Sequence, residues 1–172
     1  MNDRIIKAPE KISIPNGHKS IFLAGSIEMG KAIDWQTRLT KKLLAKYHNL
    51  VILNPRRSDW DSSWEQKVEN RQFFNQVDWE HNGLEIADFV IIYFQPETQS
   101  PISLLEFGMF KNKRNVFVCC PEGFWRKGNV DYVWQKYGIR QLAEPDDIVD
   151  ELNQFIGIKK VKETYNLNGN DL

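Results

Sequence analysis

The chain has 172 residues, the size of one compact domain, and its 41% apolar and 27% charged residues exclude a disordered or collagen-like polymer. Lys plus Arg and Asp plus Glu each number 23, so the formal charge is zero and a broad electrostatic footprint for a nucleic acid polymer or an anionic membrane is excluded. The function therefore has to come from a local site.

No run reaches the ~18–20 apolar residues that span a bilayer. The longest runs from Phe89 to Phe94, and Met1 to Glu10 mixes charges without an apolar leader region, so a cytoplasmic protein is expected. Cys119 and Cys120 are adjacent in an apolar run. Strand neighbours point to opposite faces, so these cysteines read as two reduced core thiols. The histidines, His18, His48 and His81, are scattered, and neither a metal nor a cofactor is expected.

Short apolar runs alternate with segments of helical period, the pattern of a parallel α/β sheet. The first strand is Ile21 to Ala24, closed by Gly25-Ser26. From Lys31 to Tyr47 the residues Ile33, Leu39, Leu43, Leu44 and Tyr47 fit an amphipathic helix. A second strand, Leu50 to Leu53, stops at Asn54-Pro55, and a polar loop with Asp59, Asp61 and Ser62 leads to a helix from Ser63 to Ile86. Phe73, Val77 and Leu84 mark its buried stripe. The third strand, Phe89 to Phe94, is apolar throughout, as a strand covered on both faces should be. Ser100-Pro101 supplies an N-cap and an N1 proline for a helix to Lys113. A fourth strand, Val116 to Cys120, precedes the aromatic and basic segment Pro121 to Gly128. A helix over Val130 to Tyr137, a weak strand at Arg140 to Leu142 and a helix from Pro145 to Phe155 complete the pattern.

The expected fold is a flavodoxin-like doubly wound α/β sandwich: a five-stranded, mostly parallel sheet ordered 2-1-3-4-5 with helices on both faces. Residues 1–158 form a single domain in this reading, and the tail 159–172 reads as frayed or disordered. Ligands of such sheets bind outside the carboxyl ends of the strands. That rule selects Gly25–Gly30, Asn54–Asp59, Phe94–Glu106 and Pro121–Asn129, which should converge.

Within these segments Glu106 lies on the second turn of the helix behind Ser100, among Leu104, Leu105 and Phe107, and the competing reading is a solvated helix carboxylate. Glu80 follows Val77 by three residues and precedes Leu84 by four, which places it near the buried stripe, with Asp78, Glu85 and Asp88 as competitors. Two carboxylates from different helices at one crevice suit nucleophilic plus acid–base chemistry at an anomeric carbon. Gly25-Ser26-Ile27-Glu28-Met29-Gly30 could cradle a phosphate or be a plain tight turn; it lacks the ending of a P-loop. Arg56 and Arg57 could pair with an anion or be surface charge. Trp60, Trp64, Phe124 and Trp125 could stack on a base or belong to the core.

Taken together, Ile21 to Ile27, the Trp79-Glu80 pair ahead of Ala87-Asp88, and Leu105-Glu106-Phe107-Gly108 resemble the nucleoside 2-deoxyribosyltransferase superfamily. Asn54-Pro55-Arg56-Arg57 and Pro121 to Arg126 are similar to its nucleoside 2-deoxyribosyltransferase-like branch, and the resemblance spans Ile21 to Asn129. It implies cleavage of the N-glycosidic bond of a nucleoside or nucleotide. Glu106 matches the family nucleophile, which forms a glycosyl-enzyme intermediate, and Glu80 matches the acid that protonates the leaving base. The sugar then passes to another base or to water. Phe22, Gly25, Ser26, Ile27, Asn54, Arg56, Ser100, Ser103 and Asn129 are the implied substrate-binding residues.

Three positions depart from the family pattern. Phe22 replaces a Tyr whose hydroxyl helps orient the nucleophile, Glu80 replaces Asp, and Ser100 replaces an Asp of the transferase branch. Ser100 with Ser26 is similar to the nucleoside-monophosphate N-glycosidases, where both positions contact the 5′-phosphate. Family members complete the pocket from a neighbouring subunit, so Asn129 and a homodimer or larger assembly are expected. A non-catalytic nucleotide-sensing module is the competing reading, since it would tolerate the missing hydroxyl and the changed acid. An NAD glycohydrolase is the third.

Overall fold

The computed structural model describes residues 4–27, 32–57, 63–155 and 157–161. Among them six strands form a parallel sheet: β1 (Ile5–Lys7), β2 (Lys19–Gly25), β3 (Leu50–Asn54), β4 (Phe89–Tyr93), β5 (Val116–Cys119) and β6 (Arg140–Leu142), ordered β1-β3-β2-β4-β5-β6. The α/β fold and the order of the five expected strands stand as read. The sixth strand, β1, is an added edge. It was missed because it ends in a charge and no helical segment separates it from β2, so the strand–helix alternation gives no sign of it.

The helices are α1 (Trp35–Lys46), α2 (Arg71–Ile86), α3 (Pro101–Phe110), α4 (Lys127–Tyr137) and the single turn α5 (Ile148–Glu151), which lies between two 3₁₀ turns. Right-handed crossovers assign them to faces. The chain moves one way across the sheet from β2 to β3 and the other way from β3 through β4 and β5 to β6. Accordingly α1 and α5 cover one face, where Trp35, Leu39, Leu43, Ile148 and Leu152 pack on Ile21, Leu23, Ile52, Ile91 and Phe117. On the other face α2, α3 and α4 bury Trp79, Leu84, Phe107 and Val130 against Phe22, Ala24, Leu53, Val90 and Val118. Alternate residues of the same strands serve the two cores, which is the period-two rule at work.

Several helix boundaries differ from the sequence reading. α1 starts at Trp35 because Asp34 caps it, accepting from Thr37 N at 2.9 Å, and Ile33 is left outside the helix at 72% exposure. α2 starts at Arg71 for the same reason: Asn70 Oδ1 accepts from Phe73 N at 3.0 Å. Its deepest positions are Gln76, Trp79, Gly83 and Leu84, whereas Phe73 and Val77 are only half-buried. An amide and a glycine on the buried face hid that stripe from a hydrophobicity count. α3 ends at Phe110, and the expected last helix is broken into 3₁₀ and α turns over Pro145–Gln154. Of the tail, Lys159 O accepts from His48 N, Val161 N donates to Lys46 O, and Lys160 bridges to Tyr47, so residues 159–161 are tied down; the rest lies outside the described residues. Cys119 and Cys120 are buried free thiols, and burial pushes both up to about 12.

One contact sets the exit of β2. Gly25 has φ +134°, and a Cβ there would lie 2.2 Å from the Tyr93 carbonyl oxygen. Only glycine lets the backbone pass that close to β4. Gly25→Ala should therefore cost more than the ~1–3 kcal/mol of conformational strain alone, read as a lower urea midpoint at unchanged m-value. A loss below ~1 kcal/mol would show that this contact is not a constraint.

Candidate active site

The described parts of the four strand-end segments lie at one edge of the parallel sheet. Ser26 follows Gly25 directly; its backbone N–H donates to Tyr93 O at 2.9 Å and its carbonyl accepts from Trp35 Nε1 at 3.2 Å. Trp35 stands edge-on to Tyr93 at 5.4 Å, so Ser26 is seated by α1 and β4 together. Its buried hydroxyl lies 2.6 Å from Ser100 Oγ and 2.9 Å from Thr98 Oγ1, and it accepts from Gln95 N at 2.9 Å. Thr98 Oγ1 and Ser100 Oγ are themselves 2.9 Å apart. Ser100 occupies the N-cap position of α3 as expected, but its side chain makes no capping bond. With φ 44° its backbone is left-handed and its hydroxyl serves the cluster. The segment after β4 is braced by the next one: Glu97 N donates to Gly123 O at 3.2 Å, Trp125 Nε1 to Gln99 O at 2.9 Å, and Phe94 packs on Phe124 at 4.9 Å.

Glu106 and Glu80 reach the same region from α3 and α2, on the same face of the sheet. Glu106 is 5% exposed, one turn beyond the buried Ser103, and no hydrogen-bond donor reaches its carboxylate among the described residues. Burial, and then repulsion from Glu80, push Glu106 up to about 8. Burial pushes Glu80 up to about 7, opposed by a hydrogen bond from Gln76 Nε2 to Glu80 Oε1 at 2.7 Å. Two carboxylates that repel in a dry space keep one proton between them near neutral pH. This pair can therefore present one ionised and one protonated carboxyl, the requirement of nucleophile plus general acid.

The remaining candidates are placed as follows. Phe22 is fully buried, stacked on Trp79 at 5.9 Å and pressed against Gly83, where a Cβ would fall 2.6 Å from the ring, so it supports α2 from beneath. Ile27 is half-buried at the edge. Asn54 is buried, and its Oδ1 accepts from Arg56 N at 2.9 Å. Arg56 turns towards the start of α1, donating to Ala32 O at 3.0 Å and lying 3.9 Å from Asp34. Arg57 turns the other way, to Gln76 Oε1 at 3.3 Å and over the Trp64 ring at 5.0 Å. Asn129 is exposed on the first turn of α4 and makes no side-chain hydrogen bond to either carboxylate. Of the alternative acids, Asp78 is exposed and bonded to Asn82, while Asp88 binds Lys19 and Ser20 at the far end of the strands. Glu28, Met29, Gly30, Asp59, Trp60, Asp61 and Ser62 lie outside the described residues.

Sequence reasoning missed Gln76, Thr98 and Gln95. Gln76 sits four residues before Glu80, a spacing that puts both on one helix face and could have flagged it. Thr98 and Gln95 gave no signal, since only the fold of the segment after β4 turns them towards Ser26. The Gln95 side-chain oxygen is buried without a hydrogen-bond partner among the described residues. A cavity of about 330 Å³ opens at the opposite sheet edge, between Lys111–Val116 and Tyr137–Arg140, and contains none of these groups. A smaller one of about 100 Å³, lined by Asn54, Arg56 and Arg57, borders the site. Among the described residues no three metal-ligating side chains cluster, and no helix is long and apolar enough to cross a membrane.

The carboxylate pair also predicts how stability follows pH. Both folded values lie above the ordinary glutamate value of about 4.3, so this contribution is fully present below that pH and is lost as pH rises through about 7 to 8. Glu106→Gln removes one buried charge and the repulsion. Its melting temperature should match the wild type below about pH 4, exceed it increasingly from there to about pH 8, and keep that excess above. Parallel curves for the two proteins would refute a strained pair.

Residues 18–124 match the family model described as "Nucleoside 2-deoxyribosyltransferase like". No curated protein matches the chain. Among solved structures, one described as a conserved protein from Enterococcus faecalis V583 aligns with a TM-score of 0.57 at 13% identity, covering 80% of this chain and 98% of that one. At that identity the likeness concerns the fold alone. The matched stretch runs from the residue before β2 to Phe124, so it carries Glu80, Glu106 and the hydroxyl cluster. The chain belongs to the nucleoside 2-deoxyribosyltransferase-like family.

Proposed function

We propose that this protein cleaves the N-glycosidic bond of a nucleoside or nucleoside 5′-monophosphate and passes the sugar to another base or to water. The observation that carries the reading is the pair of repelling carboxylates, the buried Glu106 and the half-buried Glu80, delivered to one face by two helices. An oxygen of ionised Glu106 attacks C1′ as the C1′–N bond breaks, and the base leaves with the bonding electrons and takes a proton from Glu80. In the second half, an acceptor base or water gives its proton to Glu80 and attacks C1′, which releases Glu106. In the free site burial and repulsion leave one proton shared between the two carboxyls near neutral pH. Positive charge growing at C1′ beside Glu106 stabilises its carboxylate and selects the reactive arrangement with the proton on Glu80.

Ser26 and Ser100 are proposed to hold a 5′-phosphate at the start of α3, where unpaired helix N–H groups favour an anion. The buried hydroxyl cluster supports this, because Ser100 leaves its capping role to join it. Arg56, also proposed for substrate binding, is held on Ala32 and Asp34, so the hydroxyls and the helix end supply the main attraction. A homodimer or larger assembly completes the pocket, with Asn129 contributed across the interface. The outer side of α3 supports it with an apolar row at helical spacing, Ile102, Leu105 and Met109, all at least half exposed.

A nucleotide-sensing module without turnover is the second reading. It is favoured by the absence, among the described residues, of a donor on Glu106, which matches the burial of Phe22 in the core as a plain hydrocarbon ring.

A panel of nucleosides, their monophosphates and NAD, resolved for free base and exchanged nucleoside, separates the readings. Glu106→Ala should abolish turnover with the fold intact; more than about a tenth of wild-type activity remaining would remove it as the nucleophile. Glu80→Gln should lower kcat by ~10²–10⁴-fold, with far less loss on substrates whose leaving group needs no proton. Tight binding of nucleotide without cleavage of any panel member would establish the sensor.

The phosphate proposal has its own test. A monophosphate should show a kcat/KM at least ~10-fold above its nucleoside, since 1.4 kcal/mol is one decade. Ser100→Ala should erase most of that ratio. Equal values for the two wild-type substrates would refute the subsite.

A further inference from the structure

The buried amide of Gln76 has three partners, and they are of fixed kind. Its Nε2 donates to Glu80 Oε1 at 2.7 Å and to Pro55 O at 3.2 Å, and its Oε1 accepts from Arg57 Nη1 at 3.3 Å. A guanidinium can only donate and a backbone carbonyl can only accept. Turning the amide over would set NH₂ against Arg57 and oxygen against Pro55 O, so its orientation is determined by the partners. The NH₂ group therefore faces Glu80, and Glu80 Oε1 has to accept whether the carboxyl is ionised or neutral. A neutral Glu80 carries its proton on the other oxygen, Oε2.

We propose that Gln76 is a positioning residue: it aims the Glu80 carboxyl and keeps its proton on Oε2, and the segment after β3, through Pro55 and Arg57, holds Gln76 in place. The proposal rests on Glu80 acting as the acid of the reaction. Among the described residues the groups that face Glu80 are Gln76 from the preceding turn of α2 and Glu106 from α3, and Arg57 donates to Gln76. A plain packing role would need volume at Gln76. The geometry instead uses all three polar contacts, at a depth where an unmatched amide is costly. The amide donor also favours the ionised form of Glu80 against burial, which keeps the group able to give its proton and take one back.

The test is Gln76→Met, which keeps length and bulk but has no amide. The Glu80 carboxyl is followed by NMR on protein carrying ¹³C-labelled glutamate, its signal identified by its loss in Glu80→Gln. The Glu80 midpoint should rise by about one pH unit in Gln76→Met, because a donor to the anion is gone. The kcat/KM profile should move alkaline with it, and kcat should fall ~10–100-fold while KM changes less than ~3-fold. Should the variant fold poorly, the wild type alone decides: the Gln76 side-chain NH₂ signal should shift with pH at the Glu80 midpoint. A Gln76 amide indifferent to that titration, or a Glu80 midpoint unmoved in a folded Gln76→Met, overturns the proposal. If the midpoint moves as expected but no panel substrate is cleaved, the positioning stands and the catalytic reading fails.

Discussion

Two like charges held in one dry space are the constraint on which the rest of the molecule turns. Glu80 and Glu106 are on different helices, and each would be an ordinary surface carboxylate had its helix packed a third of a turn differently. They meet because the chain reverses direction across the sheet after β3. Right-handed crossovers then place both α2 and α3 on the face opposite α1. Burial raises both groups, and their repulsion leaves one proton for two carboxyls near neutrality. The proposed glycosyl transfer uses that proton.

The surroundings serve this pair in distinct ways. Beneath α2, Phe22 and Trp79 fill the space under the helix while Gly83 admits the Phe22 ring, so the turn carrying Glu80 lies close on β2. Gly25 brings β2 against β4 and delivers Ser26 to Thr98 and Ser100. Both devices rely on a glycine at a place where any side chain would meet a fixed atom. Rigidity on this side of the site thus comes from close backbone approach. On the acid side it comes from polar contacts fixed by donor and acceptor type, the Arg57–Gln76–Glu80 series.

The architecture was legible because apolar runs and helical periods are local signals: β2 to β6 and four of the longer helices are written in contiguous residues. What escaped was governed by caps and by polar burial. Asp34 and Asn70 stop their helices short of where periodicity alone would extend them, since a side chain that satisfies the first N–H groups ends the turn there. The buried stripe of α2 was misplaced because Gln76 and Gly83 lie on it. Neither scores as apolar, although one is matched in every polar contact and the other makes room for a ring.

The amino-acid sequence by itself determined the α/β class, the order of five of the six strands, and the two carboxylates, since residue type and spacing are properties of the chain. The tertiary structure alone decided their state. Burial and proximity, which no local pattern encodes, raise both carboxyls and couple them. It also decided the partners: Ser100 leaves its cap for Ser26, Arg56 turns to α1 while Arg57 turns to Gln76, and an unremarked glutamine becomes the neighbour that orients Glu80. Each of these depends on residues 19 to 74 positions apart being brought within hydrogen-bond distance, or on one helix face being turned inward, and only packing of the whole sheet does that.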